Sequence, residues 1–338
     1  MEPGTLQEQA ALVALLRTRA EGVSWGQVTA AVLAAGSARE VWERGLPAGP
    51  AEMARPGDTA AVGDAAALSD MAAVGDAAPA GDAARTGDPA ALGAAASDVA
   101  RWAYRGWRLL TVLDDGYPAR VREAGPPPFL TDGPPPFLFA TGPGHPGEPA
   151  VTVAGTRRAS DEGLLMTGEV AAGLAARGLT VLAGLAAGTD AQAHRAALDA
   201  GGRTAAVLAT GLGQVHPPGH RRLQAEIAAR GLLLSQFWPD APARKHHFPM
   251  SDATLAGCAL AAVVIEAGER SGARAQAVAA AVWDRPVILT HAVAESTDWG
   301  RKLSARPGVR KAATAREILS ILDDLAAQHA WPSSLTPA

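Results

Sequence analysis

The sequence has a single cysteine, Cys258, among 338 residues. One thiol excludes an intrachain disulfide and a metal site built from several cysteines, and it suits a reducing compartment. The N-terminus has no basic segment followed by an apolar run, so we expect no signal peptide. Since no run of about 18 uncharged apolar residues occurs, we expect no membrane span. These absences together favour a cytoplasmic protein.

Charge is unevenly distributed along the chain. The net charge is −4, which does not by itself indicate a nucleic-acid binder. Residues 1–150 contain 11 Lys+Arg and 18 Asp+Glu, whereas residues 151–338 contain 19 and 16. Any binding of phosphate groups therefore belongs to the second half and depends on a local positive patch.

The first hundred residues divide into two segments. Apolar residues at helical spacing predict a small helical domain over residues 1–50, with a helix from Trp25 to Ala34 and another capped by Ser37. In residues 51–100, Asp recurs every six residues from Asp58 to Asp88 in an Ala-rich background. A period of six occurs in β-helices, but alanine stands where bulky stacking residues belong. We therefore predict a low-complexity insert.

The segment 101–330 reads as an α/β domain, followed by a tail at 331–338. A repeated PPPFL at residues 126–130 and 134–138 predicts an extended connector into it. Apolar strand-like runs then alternate with helical patterns, which predicts a parallel sheet with helices on both faces. The predicted strands are 150–154, 179–183, 204–209, 231–236, 261–266 and 286–290. The predicted helices are 161–177, 190–200, 219–230, 252–259, 272–284 and 314–328.

The turn after the first of these strands carries the clearest sign of anion binding. Gly155, Thr156, Arg157 and Arg158 lead to Ser160, which can cap the next helix. A glycine turn before a helix N-terminus directs free N–H groups at an anion, and two guanidinium groups favour phosphate. The alternative is a pair of solvated arginines on an ordinary loop.

A second informative segment is the loop predicted from Phe237 to Thr254. It places Arg244, Lys245 and two histidines beside Phe248. Cations next to an aromatic ring are typical of proteins that hold a single nucleic-acid strand. The alternative is a surface loop with Phe248 buried in the core. Adjacent histidines rarely supply two ligands on their own, so we expect no metal.

Signals for catalysis or for a cofactor are weak. Asp190 and His194 share a helix face, but a helix-capping Asp190 and a buried, hydrogen-bonded histidine explain them more simply. Cys258 lies among apolar residues and has no evident base. Glu266 and Glu269 flank a glycine at a strand end, where a carboxylate can bind a ribose hydroxyl. The segment Arg270-Ser271-Gly272-Ala273-Arg274 opens a helix that can bind another anion. The chain has no GxGxxG after the first strand and no P-loop, so we expect no cofactor and assign no catalytic residue.

These segments together resemble the DNA-processing protein A family (DprA, also called Smf). The matching segments are 155–160 (GTRRAS), 184–194 (GLAAGTDAQAH), 201–204 (GGRT), 207–212 (VLATGL), 216–218 (HPP), 231–237 (GLLLSQF), 266–272 (EAGERSG) and the lead-in 114–120 (DDGYPAR).

The resemblance implies an extended Rossmann-like domain after a small helical, SAM-like domain. It further implies a homodimer that binds single-stranded DNA without enzymatic activity and loads RecA in natural transformation and homologous recombination. The family's glycine-and-arginine turn corresponds to Gly155, Thr156 and Arg157, and its loop lysine and base-contacting phenylalanine correspond to Lys245 and Phe248.

The chain departs from the family pattern at two places. Ser251-Asp252-Ala253 stands where the family has Arg-Asn-Arg, so two positive charges are lost and one negative charge is gained. Ser271-Gly272-Ala273 stands where Ser-Gly-Ser is usual. We also expect this member to lack the winged-helix domain that many members carry. Two alternatives follow: a nucleotide-binding or nucleotide-cleaving protein similar to phosphoribohydrolases, or a paralogue with a decayed DNA site that acts through protein interaction.

Overall fold

The computed structural model describes residues 3–20, 22–46, 86–123, 133–329 and 331. Its chain contacts divide the molecule into two compact units, Met1–Leu138 and Phe139–Ala338. Most of the predicted 51–100 insert lies outside the described residues.

The first unit begins with three helices whose starts and ends follow from their sequence. They are α1 (Pro3–Thr18), α2 (Trp25–Ala35) and α3 (Ala38–Arg44). Ser24 and Ser37 cap α2 and α3 by accepting backbone N–H groups of the first turns. The predicted Ser37 cap is thus confirmed. Leu12, Leu15 and Val28 belong to the buried core of this unit.

The described end of the Ala-rich segment is helical. Asp88, the last aspartate of the repeat, caps α4 (Pro89–Tyr104), and Pro89 occupies the first turn. This helix continues through the predicted boundary at residue 100. The unit also contains β1 (Arg108–Thr111) and α5 (Ala119–Glu123). Between them Tyr117 is buried, and its hydroxyl donates to the carbonyl of Pro135 at 2.8 Å.

The second unit contains a mixed sheet built around the strand that opens the α/β segment. Its strands lie side by side in the order β2, β6, β5, β4, β3, β7, β8, β9. Strand β2 pairs with β6 in antiparallel orientation, and each other pairing in this order is parallel. Most residues from β3 to β8 are apolar and all are buried, as expected where both faces are covered. The bounds are β2 (Phe137–Thr141), β3 (Ala150–Ala154), β4 (Thr180–Ala183), β5 (Thr204–Val207), β6 (Leu232–Ser235), β7 (Ala261–Val264), β8 (Val287–Thr290) and β9 (Val309–Ala312).

The sequence predicted β3 to β8, and it missed β2 and β9. Phe137 and Leu138 open β2 rather than ending the predicted extended connector. The middle residues of β9, Arg310 and Lys311, are exposed, so this strand has no continuous apolar run to mark it.

Helices cover both faces of the sheet. The chain moves outward from β3 to β6, returns to β7 beside β3, and then moves outward in the other direction. Right-handed connections place the helices that follow β3 and β4 on one face and the helix that follows β7 on the other. The last helix, Ala315–Gln328, packs on the same face as the helix after β3, since Ile318 and Leu322 share a core with Val170 and Leu174. The helices are α6 (Asp161–Ala176), α7 (Thr189–Asp199), α8 (Arg221–Arg230), α9 (His247–Cys258), α10 (Gly272–Val282), α11 (His291–Ser296), α12 (Asp298–Ser304) and α13 (Ala315–Gln328).

The predicted end of the loop after β6 is wrong. The loop predicted to reach Thr254 ends at His246, because α9 begins at His247 and includes Phe248. Pro249 lies in the first turn, where a helix tolerates a residue without an N–H donor. Phe248 and Asp252 therefore lie four residues apart on one helix face. Among the described residues, no helix has both the length and the apolar character needed to cross a bilayer.

Candidate functional site

A pocket opens at the carboxyl ends of the central strands of the second unit. Its volume is about 610 Å³. It lies where the strand order reverses, between β3 and β7, which is the usual ligand site of an open α/β sheet. Loops after β3, β4, β5 and β7 and the starts of α9 and α10 line it. Its lining includes Gly155, Thr156, Arg157, Arg158, Asp190, His216, Phe248, Asp252, Arg270, Ser271, Gly272 and Gln276.

The turn that carries the first two arginines is fixed by the loop before α7. Thr189 donates its backbone N–H to the carbonyl of Thr156 at 3.2 Å, and its Oγ1 donates to the same carbonyl at 3.3 Å. Gly155 packs so closely on Thr189 that a Cβ would come within 2.2 Å of Oγ1. Gly188 has a φ of +77°, and a Cβ there would lie 2.4 Å from the Thr156 carbonyl oxygen. These glycines let the two loops meet and hold Arg157 and Arg158 at the rim.

The helix N-terminus after this turn already holds an acidic group of the chain. Ser160 caps α6 as predicted, since its Oγ accepts the N–H of Gly163 at 3.0 Å. Glu266 Oε2 accepts the Ser160 N–H at 2.9 Å and the Ser160 hydroxyl at 3.1 Å. A carboxylate suits the positive end of the helix dipole. We predicted that an external anion binds at Ser160, but the carboxylate of Glu266 already occupies this helix N-terminus.

Phe248 reaches the rim of the pocket and contacts one of the arginines. The Arg157 guanidinium carbon lies 5.2 Å from the centroid of the Phe248 ring. The His216 ring meets the same phenylalanine edge to face, with centroids 5.7 Å apart. Phe248 is half-buried, whereas its neighbour His247 is fully buried and stacks on Phe237 at 3.9 Å. The alternative in which Phe248 is buried in the core is therefore wrong, because His247 and not Phe248 occupies the buried position.

The structure gathers some of the predicted site residues and leaves others outside the pocket. Gly155, Thr156, Arg157, Arg158, Phe248, Ser271 and Gly272 line it. Ser271 also caps α10 by accepting the N–H of Ala273 at 3.3 Å. Arg244 and Lys245 are exposed on the turn before α9, and Arg274 lies in the first turn of α10. Those three described residues and Ser160 do not line the pocket.

Two carboxyl groups lie deeper in the pocket, Asp190 buried and Asp252 half-buried. Asp190 Oδ2 accepts the N–H of Ala186 at 3.1 Å, so it holds the preceding loop instead of capping its own helix. Burial raises the pKa of Asp190 to about 7, although the Ala186 bond and the Arg157 charge oppose the rise. The pKa of Asp252 is also raised to about 7 by burial. The charge of Asp190 adds to that rise, whereas the Gln276 hydrogen bond and Arg157 oppose it.

Gln276 connects the second of these acids to α10. Its Nε2 donates to Asp252 Oδ1 at 2.7 Å. Its Oε1 is buried and has no hydrogen-bond partner among the described residues. Asp252 Oδ2 faces the start of α10, where a Cβ placed on Gly272 would lie 3.8 Å away. The pocket thus combines cationic groups at its rim with oxygen acceptors at its floor.

The remaining predicted polar residues have structural partners. His194 is fully buried, with Nδ1 2.7 Å from Thr204 Oγ1 and Nε2 2.6 Å from the Gly184 carbonyl. Its burial lowers the pKa of His194 to about 4. Glu269 accepts the backbone N–H of Asp298 at the start of α12. Cys258 is buried on α9, as expected for a core residue.

Sequence reasoning did not assign His216, Arg270 or Gln276 to the site. His216 belongs to a quoted motif, HPP, but nothing local indicates that it meets Phe248. Arg270 was predicted only as part of the segment 270–274 that can bind an anion. Gln276 carries no sequence signal, because its role depends on how α10 packs against α9.

Comparison with known proteins identifies relatives over most of the second unit. A family model described as DNA recombination-mediator protein A matches residues 108–323. A relative from Mycobacterium tuberculosis is 40% identical over 193 residues, which are 53% of this chain and 48% of the relative. The chain thus spans about half the length of the curated relatives it matches.

Solved structures show the same fold. The X-ray structure of DNA processing protein A (DprA) from Streptococcus pneumoniae is 26% identical, with a TM-score of 0.62, over 92% of this chain and 97% of that one. DNA processing protein A from Helicobacter pylori, described for its single-stranded DNA binding mode, is 23% identical, with a TM-score of 0.55. It covers 64% of this chain and 96% of that one. The arrangement is a mixed sheet with helices on both faces, of the Rossmann-like kind.

Proposed function

This chain belongs to the DNA recombination-mediator protein A family, and from that premise we propose that it binds single-stranded DNA. The proposed role is DNA processing in transformation and recombination, without a chemical step catalysed by the protein. The observation that carries the proposal is the contact of Arg157 with Phe248 at the rim of the central pocket, 5.2 Å from guanidinium carbon to ring centroid.

A cation stacked on an aromatic ring suits a single strand for two reasons. The guanidinium group binds a phosphate, and a nucleobase can stack on the flat face of the ring or of the guanidinium. Arg158 and Arg270 line the same pocket and add positive charge at its rim. At Gly272 the nearest atom to an added Cβ would be Asp252 Oδ2 at 3.8 Å, so a sugar–phosphate chain can approach this backbone closely.

Lys245 and Arg244 extend the proposed contact surface beyond the pocket. Both side chains are exposed on the turn that leads into α9, three and four residues before Phe248. A strand that stacks on Phe248 can therefore continue across this turn. Arg274, in the first turn of α10, is the third predicted cation outside the pocket.

The hydrogen bonds that Glu266 already makes to Ser160 favour a binding protein over an enzyme. The alternative enzyme reading needs this carboxylate for a nucleotide, but both the backbone and hydroxyl of Ser160 already donate to it. The family resemblance further supports a homodimer that delivers DNA to a RecA-type recombinase in the cytoplasm, and we include both partners in the proposal.

The test is the salt dependence of binding to a fluorescent dT oligomer, followed by anisotropy. We compare wild type with Arg157→Ala, Arg270→Ala and Lys245→Ala. Each lost phosphate contact should lower the slope of log K against log salt by about 0.7. Arg157→Ala should also lose stacking with Phe248 and show the greatest loss of affinity.

Arg316→Ala is the matched control, because Arg316 is exposed on α13 and does not line the pocket. It should leave both affinity and slope unchanged. If Arg157→Ala and Lys245→Ala bind as tightly as wild type, this site assignment is wrong. Nucleotide hydrolysis by wild type that disappears in Glu266→Gln would favour the enzyme instead.

A further inference from the structure

We propose that the floor of this pocket is a guanine-selective base subsite, in which Asp252 and Gln276 accept the N–H donors of the base edge. The inference rests on the proposed function for its source of ligand, a DNA strand. Free guanine nucleotide presents the same base edge and is the second source. The subsite itself is argued from the contacts of α9, α10 and the rim.

The pocket is divided by charge, which fixes the direction in which a nucleotide enters. Arg157, Arg158 and Arg270 are exposed at the rim, whereas Asp190 and Asp252 are set deeper. A phosphate is attracted to the rim and repelled by carboxylates at the floor. The base must therefore point inward while its phosphate stays outside.

The walls near Asp252 suit a flat ligand. Phe248 lies one helical turn before Asp252 on the same face of α9, and Arg157 stacks on the Phe248 ring. A base that stacks on this pair directs its edge along α9 toward Asp252. A sugar has no flat face to use this surface.

The floor offers oxygen acceptors to a ligand. Asp252 Oδ1 accepts from Gln276 Nε2, and Asp252 Oδ2 faces the start of α10, 3.8 Å from a Cβ placed on Gly272. Gln276 is only 7% exposed, and its Oε1 has no partner. A buried acceptor without a donor is destabilising, so a ligand that supplies an N–H group to Gln276 Oε1 relieves this cost.

Among the four DNA bases, guanine matches this pattern. Its Watson–Crick edge presents two adjacent donors, N1–H and the exocyclic N2 amine. Adenine and cytosine present one amine beside an acceptor nitrogen, and thymine presents one N–H between two carbonyl oxygens. A carboxylate oxygen beside an amide oxygen can therefore accept both donors of guanine. With each of the other bases, one of these two oxygens would face an acceptor atom of the base.

The test measures affinity at pH 8 for a dT oligomer with one central dG, dI, dA or dT. Inosine lacks only the N2 amine, so it isolates one hydrogen bond. Wild type should bind the dG strand about tenfold more tightly than the dI, dA or dT strand. Asp252→Asn should bring the dG and dI affinities within about twofold of each other. Gln276→Met, which keeps the volume and removes the acceptor, should reduce the dG preference.

Failure of the subsite and failure of DNA binding are distinguishable. If wild type binds every oligomer equally, or if Asp252→Asn keeps the full dG preference, the subsite is overturned while the proposed function stands. If no oligomer binds, the proposed function fails. Calorimetry with dGMP and dIMP then decides the subsite, with preferential dGMP binding supporting it and equal or absent binding overturning it. Circular dichroism of each variant confirms that the chain is folded.

Discussion

Two pairs of carboxylates border the same end of the sheet, and they serve opposite purposes. Glu266 and Glu269 follow β7 and accept backbone N–H groups at the starts of α6 and α12. Asp190 and Asp252 face the pocket, where burial raises the pKa of each to about 7. The first pair stabilises helix ends, whereas the second pair is held at a cost in stability, as is common at binding sites.

The difference lies in the donors that each acid meets. Glu266 Oε2 receives two donors from Ser160, and a Cβ on Gly163 would come within 2.3 Å of that oxygen. Glycine at this position therefore lets the carboxylate reach the helix. Asp252 has one amide donor from Gln276 and the charge of Asp190 nearby. The half-buried carboxylate of Asp252 can therefore accept further donors from a ligand.

The largest effect should come from neutralising Asp190. Its folded pKa of about 7 lies above the model-peptide value of 3.8, so the folded state holds an extra proton between these pH values. That contribution to stability is present below pH 4 and is lost as pH rises to about 7. Asp190→Asn should therefore become more stable than wild type as pH rises. The difference in the free energy of unfolding should grow by about 1.4 kcal/mol per pH unit, to about 4 kcal/mol in total. Urea unfolding from pH 4 to pH 8 measures this.

Other groups set the background of that experiment. The pKa of His194 falls from 6.5 to about 4, so its contribution is lost as pH falls through this range and opposes that of Asp190. Asp323→Asn is a control of opposite sign, since the Arg177 hydrogen bond lowers the pKa of Asp323. This control should lose stability relative to wild type as pH rises. A constant difference between Asp190→Asn and wild type at every pH would contradict the assignment.

A smaller loss should follow removal of the capping carboxylate. Glu266→Ala leaves the N–H of Ser160 without its acceptor and removes an acid from the α6 N-terminus. We expect a decrease of about 1–2 kcal/mol in the free energy of unfolding. Glu169→Ala, at an exposed position of α6, should change stability by less than about 0.5 kcal/mol. Equal losses in the two variants would show that Glu266 has no special role.

How much of this the sequence predicts depends on how local the cause is. The turn from Gly155 to Ser160 was predicted because a strand end, a glycine and a cap occur within ten residues. The start of α9 was missed because Pro249 indicates a loop unless it falls in the first turn. The contact between Asp252 and Gln276 joins residues 24 positions apart on two packed helices. No spacing rule reaches that far, so the acceptors at the pocket floor required a structure.

The smallest effect should appear in DNA affinity when Asp252 is neutralised. On a dT oligomer, which has no guanine, this carboxylate only repels phosphates held by Arg157, Arg158 and Arg270. Asp252→Asn should therefore bind the oligomer about two- to fivefold more tightly at pH 8, since one like-charge interaction is worth about 0.5–1 kcal/mol.

Lowering the pH from 8 to 6 should strengthen wild-type binding of the dT oligomer, because protons neutralise the carboxyl groups of Asp190 and Asp252, whose pKa values lie at about 7. Both proteins keep His216 at the rim, so the difference between wild type and Asp252→Asn isolates one carboxylate. That difference should narrow as pH falls.

Asp161→Asn, an exposed acid on α6 outside the pocket, controls for total charge and should match wild type. Weaker dT binding by Asp252→Asn at pH 8 would mean that the carboxylate supports the strand instead of opposing it, and the division into a cationic rim and an acidic floor would be wrong.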